Sequence, residues 1–323
     1  MILKTKFTFL LIILTFLSLI SCEEDKKAID VSTINSSFEL VRFDREFNQS
    51  NEKTFHKLKA KYPYLFPGNE PDSIWLNRKN DSLAQVLYQE SQTIFGDFNE
   101  EKKELVRLFK HVKYYYSNFK EPKIITLQSN LDLENQIIYA DSLLFISLDT
   151  YLGKDKIYYS NYPSYLVGNF DKSHLLNDVA MAISYKTVPT APNRLFLERI
   201  IASGKLRYAM QQFLPHKTEA EIMDYSQEKI AWAIQDEERI WKYFVEKEYL
   251  YSTNKDLQER FINPAPFSKF YLISDNESPG QIGVWLGLQI VKSFMENNTV
   301  SLPEMMAMKP IDIFNKSKYK PKQ

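Results

Sequence analysis

Four scarcities frame this chain of 323 residues: one cysteine, four histidines, eight glycines, and no excess of either charge. A lone cysteine rules out an internal disulfide and any cysteine-based metal centre. Eight glycines against 20 tyrosines and 22 phenylalanines leave no Gly-rich phosphate cradle. No Gly-x-Ser-x-Gly nucleophile elbow is present either. Basic and acidic residues balance at 41 each, so no overall field selects nucleic acid or an acidic polymer as partner. No internal repeat is visible. What the chain has is apolar material, 44% of it, enough to bury a substantial core.

The N-terminus carries the clearest signal. Lys4 and Lys6 precede an apolar run over 7–20, interrupted only by Thr and Ser; it is too short for an ordinary spanning helix and suited to a secretory signal. The run ends Leu19, Ile20, Ser21, Cys22, which resembles the lipobox of bacterial lipoproteins, in which Cys22 is lipidated and becomes the first mature residue. Glu23, Glu24, Asp25, Lys26 and Lys27 follow, then a polar stretch that reads as a solvated tether. The acidic run is either a plain spacer or an influence on which leaflet receives the protein. The expected organisation is a signal peptide at 1–21, a lipidated tether at 22–37 and one globular domain at 38–323.

Within that domain, 38–43 reads as a strand. Helical spacing follows at 51–62, broken by Pro63 and Pro67, then at 72–94 and 101–119. In the last of these Leu105, Leu108, Phe109, Val112, Tyr115, Tyr116 and Phe119 form one stripe, with His111 off it and expected at the surface. Segments 123–127, 136–140 and 143–148 are short and β-rich, with Asp141 and Ser142 as a tight turn, and predict a small sheet with helices packed on one face. The aromatic segment 158–163 is expected to pack rather than to line a groove.

Residues 175–205 form the centre of the reading, two helices meeting at a turn. Asp171 can cap the first, from about 174 to 185, and Pro189 and Pro192 end it; the second runs from 193 to about 213. Such a pair can hold zinc, through a His-Glu-x-x-His turn on the first helix and a carboxylate on the second. Here the three ligand positions are Asn177, Met181 and Ser203, none of which replaces imidazole or carboxylate well. His174 and Asp178 are four apart and share a helix face, so a residual site with Glu198 is conceivable. The plainer expectation is a surface His, a local polar contact, and Glu198 paired with an Arg. His56 and His216 have no partner at ligand spacing. Carboxylate pairs such as Glu237 and Glu238 are expected on solvated faces. No metal and no cofactor are expected.

Further on, Thr218 and Glu221 form a capping box opening a helix that carries Ile222 and Tyr225. The segment 227–249 reads as one long helix with Ile230, Ile234, Trp241 and Val245 towards one side. A turn at 275–280 leads into a helix over 281–297, in which Gly283 and Gly287 permit close helix approach. The basic tail from Lys316 is expected to fray.

Taken together, Cys22, LERIIASGK at 197–205, FLP at 213–215, SPGQIGVWLG at 278–287 and SKYKP at 317–321 resemble the gliding motility lipoprotein GldB family, across essentially the whole mature chain. The resemblance implies a cell-envelope lipoprotein needed for surface gliding, in bacteria whose adhesins use the type IX secretion route. The helix pair and the segment after Pro279 are also similar to predicted zinc peptidases of the zincin class, whose ligands this chain lacks. The expected fold class is therefore α+β and predominantly helical, a zincin-like core with a small β-sheet packed against helices. The expected role is a non-catalytic binding component of the gliding or type IX machinery, with other envelope proteins as partners, a lipid anchor in a membrane, and no nucleic acid. A periplasm-facing outer membrane is favoured over the inner. The rival is a metal-dependent hydrolase with an unconventional site at His174, Asp178 and Glu198. A sheet-edge strand within 123–148, beside the first central helix, is where an extended partner would add.

Overall fold

Alternating β-formers build a four-stranded sheet from β1 (Leu40–Arg42), β2 (Lys123–Leu127), β3 (Ile137–Ala140) and β4 (Leu143–Ser147), in the order β1-β2-β4-β3. The coordinates are a computed structural model describing residues 29–68, 70–189 and 193–322. β1, β2 and β4 run parallel, and β3 returns antiparallel to β4 through Asp141, whose φ of 50° makes the tight turn. Because side chains alternate between faces, Val41, Ile125 and Phe145 share one side and Ile124, Leu144 and Ile146 the other.

The first face packs against α1 (Phe43–Gln49), α2 (Phe55–Lys61) and α3 (Asp72–Lys79), through Phe43, Phe55, Leu58 and Trp75. The second faces the main core. There lie α4 (Ser82–Phe95), α5 (Asn99–Tyr115), the short α6 (Ser164–Val167), α7 (Leu175–Thr187) and α8 (Phe196–Phe213). The chain continues through α9 (Glu219–Met223), α10 (Gln227–Gln235), α11 (Glu237–Glu246) and α12 (Asp256–Phe261). It ends in α13 (Ile282–Asn297), α14 (Leu302–Ala307) and α15 (Pro310–Ser317). The protein is α+β and mostly helical; helices cover both sheet faces rather than the one expected, because Ile125 and Phe145 are apolar on the side opposite Ile124, Leu144 and Ile146. Residues Ile34–Gln323 form one compact unit. The signal segment 1–21 and Cys22 lie outside the described residues, and the tether is described only from residue 29.

Several expectations are corrected. The helix expected over 72–94 is two, because Asp81 leaves helical geometry and its carboxylate accepts the N–H groups of Leu83 and Ala84, starting α4 afresh. The long helix expected over 227–249 is likewise two, α10 and α11, broken at Asp236. The buried face is Ile230, Ala233, Glu237, Ile240 and Phe244, in phase across the break but displaced from the expected stripe, so Ile234 and Val245 are exposed. Tyr225 lies beyond the end of α9. His111 is buried, since the inward arc of α5 is wider than the apolar stripe; burial, with His216 and Arg107 nearby, lowers its pKa. Glu237 is also buried and accepts the Tyr319 hydroxyl at 2.6 Å, while Tyr319 packs edge-on against Trp241 at 5.3 Å. The tail is therefore held as far as Tyr319. The aromatic segment does pack: buried Tyr159 donates to the Asp149 carbonyl and accepts from the Leu152 N–H.

Candidate functional site

The helix pair α7–α8 sits beside the sheet's β3 edge, where the Lys186 ammonium lies 5.3 Å from the centre of the Tyr139 ring. A 3-10 turn, Lys172–His174, leads into α7 and is capped by the Asp171 carboxylate accepting the Ser173 N–H. This places His174 at the start of α7 and Asn177 and Asp178 in its first turn, with Met181, four and three residues further on, along the same face.

Each of these side chains already has a task. Buried Asn177 donates its amide to the Glu221 carbonyl at 2.7 Å and to Asp224 Oδ1 at 3.1 Å. His174 Nε2 is 3.5 Å from the same Asp224 oxygen. The other Asp224 oxygen pairs with Arg207 Nη1 at 3.3 Å, and that nitrogen also donates to the Ile222 carbonyl at 2.6 Å. Asp178 accepts the Tyr151 hydroxyl at 2.7 Å. Met181 packs half-buried against the core, and Ser203 is half-buried on α8. Asp224 and Arg207 were not singled out by sequence. Arg207 had only the weak signal of a charge within an apolar helical stretch, and Asp224 none, since tertiary folding alone brings it to α7.

The electrostatics divide the two acids. Burial pushes the Asp178 carboxyl up to about 6, against the Tyr151 hydrogen bond, which favours the charged form; the Asp224 charge adds to the rise. Burial acts the same way on Asp224, but His174, Arg207 and Asn177 outweigh it and hold that carboxyl below its ordinary range. The Tyr151 hydroxyl is driven well upward by burial and by Asp178. Two buried atoms, His174 Nδ1 and Asn177 Oδ1, have no hydrogen-bond partner within the described protein.

Glu198 does not join this cluster. Its carboxylate accepts the backbone N–H groups of Arg194 and Leu195, closing the N-terminus of α8. The expectation that it pairs with an Arg side chain is corrected to a backbone cap. Among the described residues, no group of three or more His, Cys, Asp or Glu side chains is arranged to hold a metal ion. Beside Arg207 and Asp224 opens a cavity of about 290 Å³, walled by Tyr165, Tyr225, Pro266 and Gln281.

Behind the network, α8 and α13 cross at glycine contacts. A Cβ on Gly204 would overlap the Gly287 backbone, and one on Gly287 would overlap the Ile200 carbonyl. The close approach expected of Gly283 and Gly287 is thus present. Near this crossing Lys205 is buried, donates to the Met308 carbonyl at 2.9 Å, and has its pKa lowered by burial to about 8.

The β3 edge is set by its register. Ser147 N–H donates to the Gln136 carbonyl, and Ile138 and Ala140 pair with Phe145 and Leu143 in the same phase. By antiparallel alternation, the N–H and C=O groups of Ile137 and Tyr139 face away from β4.

These features define an α+β domain whose central helix pair encloses a hydrogen-bonded polar network next to an open sheet edge, with no helix among the described residues long and apolar enough to cross a membrane. The chain belongs to the gliding motility protein GldB family, whose sequence model matches residues 24–321. Membership makes it a gliding motility lipoprotein of the cell envelope. No curated protein and no solved structure matches it.

Proposed function

We propose that the chain is a non-catalytic component of the gliding and type IX secretion machinery, a zincin-like scaffold that binds extended segments of other envelope proteins, anchored by lipid at Cys22 in the periplasm-facing outer membrane. The observation that carries this reading is Asn177. At a position where the zincin arrangement places a metal-binding imidazole, its amide is spent on Asp224 and the Glu221 carbonyl. Arg207 then supplies a fixed positive charge to Asp224 inside the same cluster. A cation added there meets that charge at low dielectric, which disfavours it. The zincin-like part of the reading is supported by a helix pair lying against an antiparallel edge strand of a mostly parallel sheet. The open groups of Ile137 and Tyr139 suit main-chain pairing with an incoming strand.

Two measurements test it. Metal analysis of the purified protein should find no stoichiometric zinc; zinc at one per chain that is lost in His174→Ala would replace this reading with the hydrolase at His174, Asp178 and Glu198. Photo-crosslinking from Ile138 in native membranes should trap a specific envelope protein, and repeated failure to trap one would remove the binding role.

A further inference from the structure

Large exposed apolar side chains occur at several places on the described surface, such as Ile157, Ile234 and Val245, but in the loop between α12 and α13 three stand in a row. Tyr271, Leu272 and Ile273 are consecutive and 70%, 55% and 106% exposed. A floppy loop would fold such side chains back onto the protein, but this one is built to hold them out. Its base is closed by Ser268 Oγ donating to the Pro279 carbonyl at 2.7 Å, and by the Tyr243 hydroxyl donating to the Phe270 carbonyl at 2.7 Å. Its tip is clamped by Asp275, whose carboxylate accepts the N–H groups of Tyr271 at 2.8 Å and Leu272 at 3.1 Å. Tyr271 takes a φ of 65°, a strained conformation for a bulky residue. The Arg260 guanidinium sits 4.2 Å from its ring centre. Fixed geometry and local strain, spent on presenting three large apolar side chains, mark a surface made to be covered.

We propose that this tip inserts into the interfacial layer of the bilayer that holds the protein. The inference rests on the lipid-anchored reading above. Leu272 also borders a cavity of about 270 Å³ with Tyr243 and Phe270, but two observations favour a lipid surface over a protein as occupant of the tip. Its composition, one tyrosine with two aliphatic residues, suits the headgroup–acyl boundary. An anchor at Cys22 keeps a bilayer at high effective concentration beside the domain. The role is orientation: a tip contact together with a tether would set which face of the domain points away from the membrane.

The test uses the full-length lipidated protein carrying Ile273→Cys, labelled with an environment-sensitive fluorophore, in vesicles of phosphatidylethanolamine and phosphatidylglycerol doped with nitroxide lipids. Ile157→Cys, at a site 80% exposed elsewhere on the domain, is the control. Both side chains lie in solvent, so neither change threatens folding. Flotation with the vesicles reports the anchor; quenching reports the tip. The proposal expects blue-shifted emission and at least about twofold quenching at 273, with little at 157. Protein that floats but is quenched equally weakly at both positions overturns the tip contact and leaves the anchor standing. Protein that neither floats nor shows quenching at 273 overturns both. Shielding of 273 that occurs only in native membranes, and is lost in pure lipid vesicles, overturns the lipid contact in favour of a protein groove.

Discussion

Gly204 on α8 meets the backbone of Gly287 on α13 with no room for a methyl group on either. The two helices can approach only because both positions lack a Cβ, and the polar network on α7 is packed against α8 in turn. Gly287→Ala must push the helices apart or distort them, because the obstacle is the Ile200 carbonyl and not a movable side chain. A loss of about 3 kcal/mol or more is expected in denaturant unfolding. Gly168→Ala, where a Cβ meets nothing within 4 Å and the backbone is helical, should by contrast stabilise the fold by about 0.4 to 1 kcal/mol.

Asp178 gives a pH-dependent prediction. Its carboxyl titrates near 6 in the folded protein, above its unfolded range of about 3.9, so the folded state holds the proton more tightly. Stability from this group is complete at low pH and is lost as pH rises through about 4 to 6. Asp178→Asn keeps an acceptor for the Tyr151 hydroxyl and removes the charge. Thermal melts should show the variant about 1 to 2 kcal/mol more stable at pH 7.5, with the gain vanishing near pH 4. An equal gain at both pH values would mean that the charge is not the cause.

Lys205 runs the other way. Burial lowers its pKa to about 8, below the ordinary value near 10.4, so the folded state binds the proton less tightly than the unfolded chain. The ammonium penalty is present below pH 8 and is relieved as pH rises from there towards 10, so stability should increase by about 1 to 2 kcal/mol between pH 7.5 and 9.5. Lys205→Met should flatten that slope, whatever it does to absolute stability through the lost bond to Met308. Chemical unfolding at a series of pH values reads it directly.

Where the hydrophobic period was unambiguous, it placed elements well. The three strands between 123 and 147 and the helix pair around the turn near 190 follow from periods of two and of 3.6 with clear breaks. Two helix breaks did not stand out, because Asp81 and Asp236 interrupt patterns that continue in phase on either side, with no Gly or Pro to mark them. His111 and Glu237 read as surface residues since each is polar in type; their burial comes from partners distant in sequence, such as Tyr319 for Glu237. The candidate site was half legible. Positions 174, 177, 178 and 181 were found by helical spacing, but Asp224 reads as an ordinary acid at a helix end until folding sets it between His174 and Arg207.

Cys22 carries the anchoring role in the family reading, and its prediction is independent of the folded domain. Cys22→Ser should move the protein from the membrane pellet to the soluble fraction while its melting curve stays unchanged. Retention in the pellet after a carbonate wash would show that something other than the lipid holds it.

Partner binding through β3 can be separated from mere folding by using the direction of one N–H group. Tyr139 points its backbone N–H away from β4, so Tyr139→Pro removes a donor that the sheet itself does not use, as proline is tolerated at such edge positions. Residue 138 is extended, which suits a following proline. The substitution also removes a ring packed beneath Lys186, and Tyr139→Ala serves to subtract that loss. Both variants should lose stability by about 1 to 2 kcal/mol through the missing ring. If an extended partner adds along this edge, Tyr139→Ala should retain the crosslinked partner and Tyr139→Pro should lose it, because only the proline blocks the next ladder of hydrogen bonds. Equal crosslinking in the two variants would place the partner elsewhere on the domain.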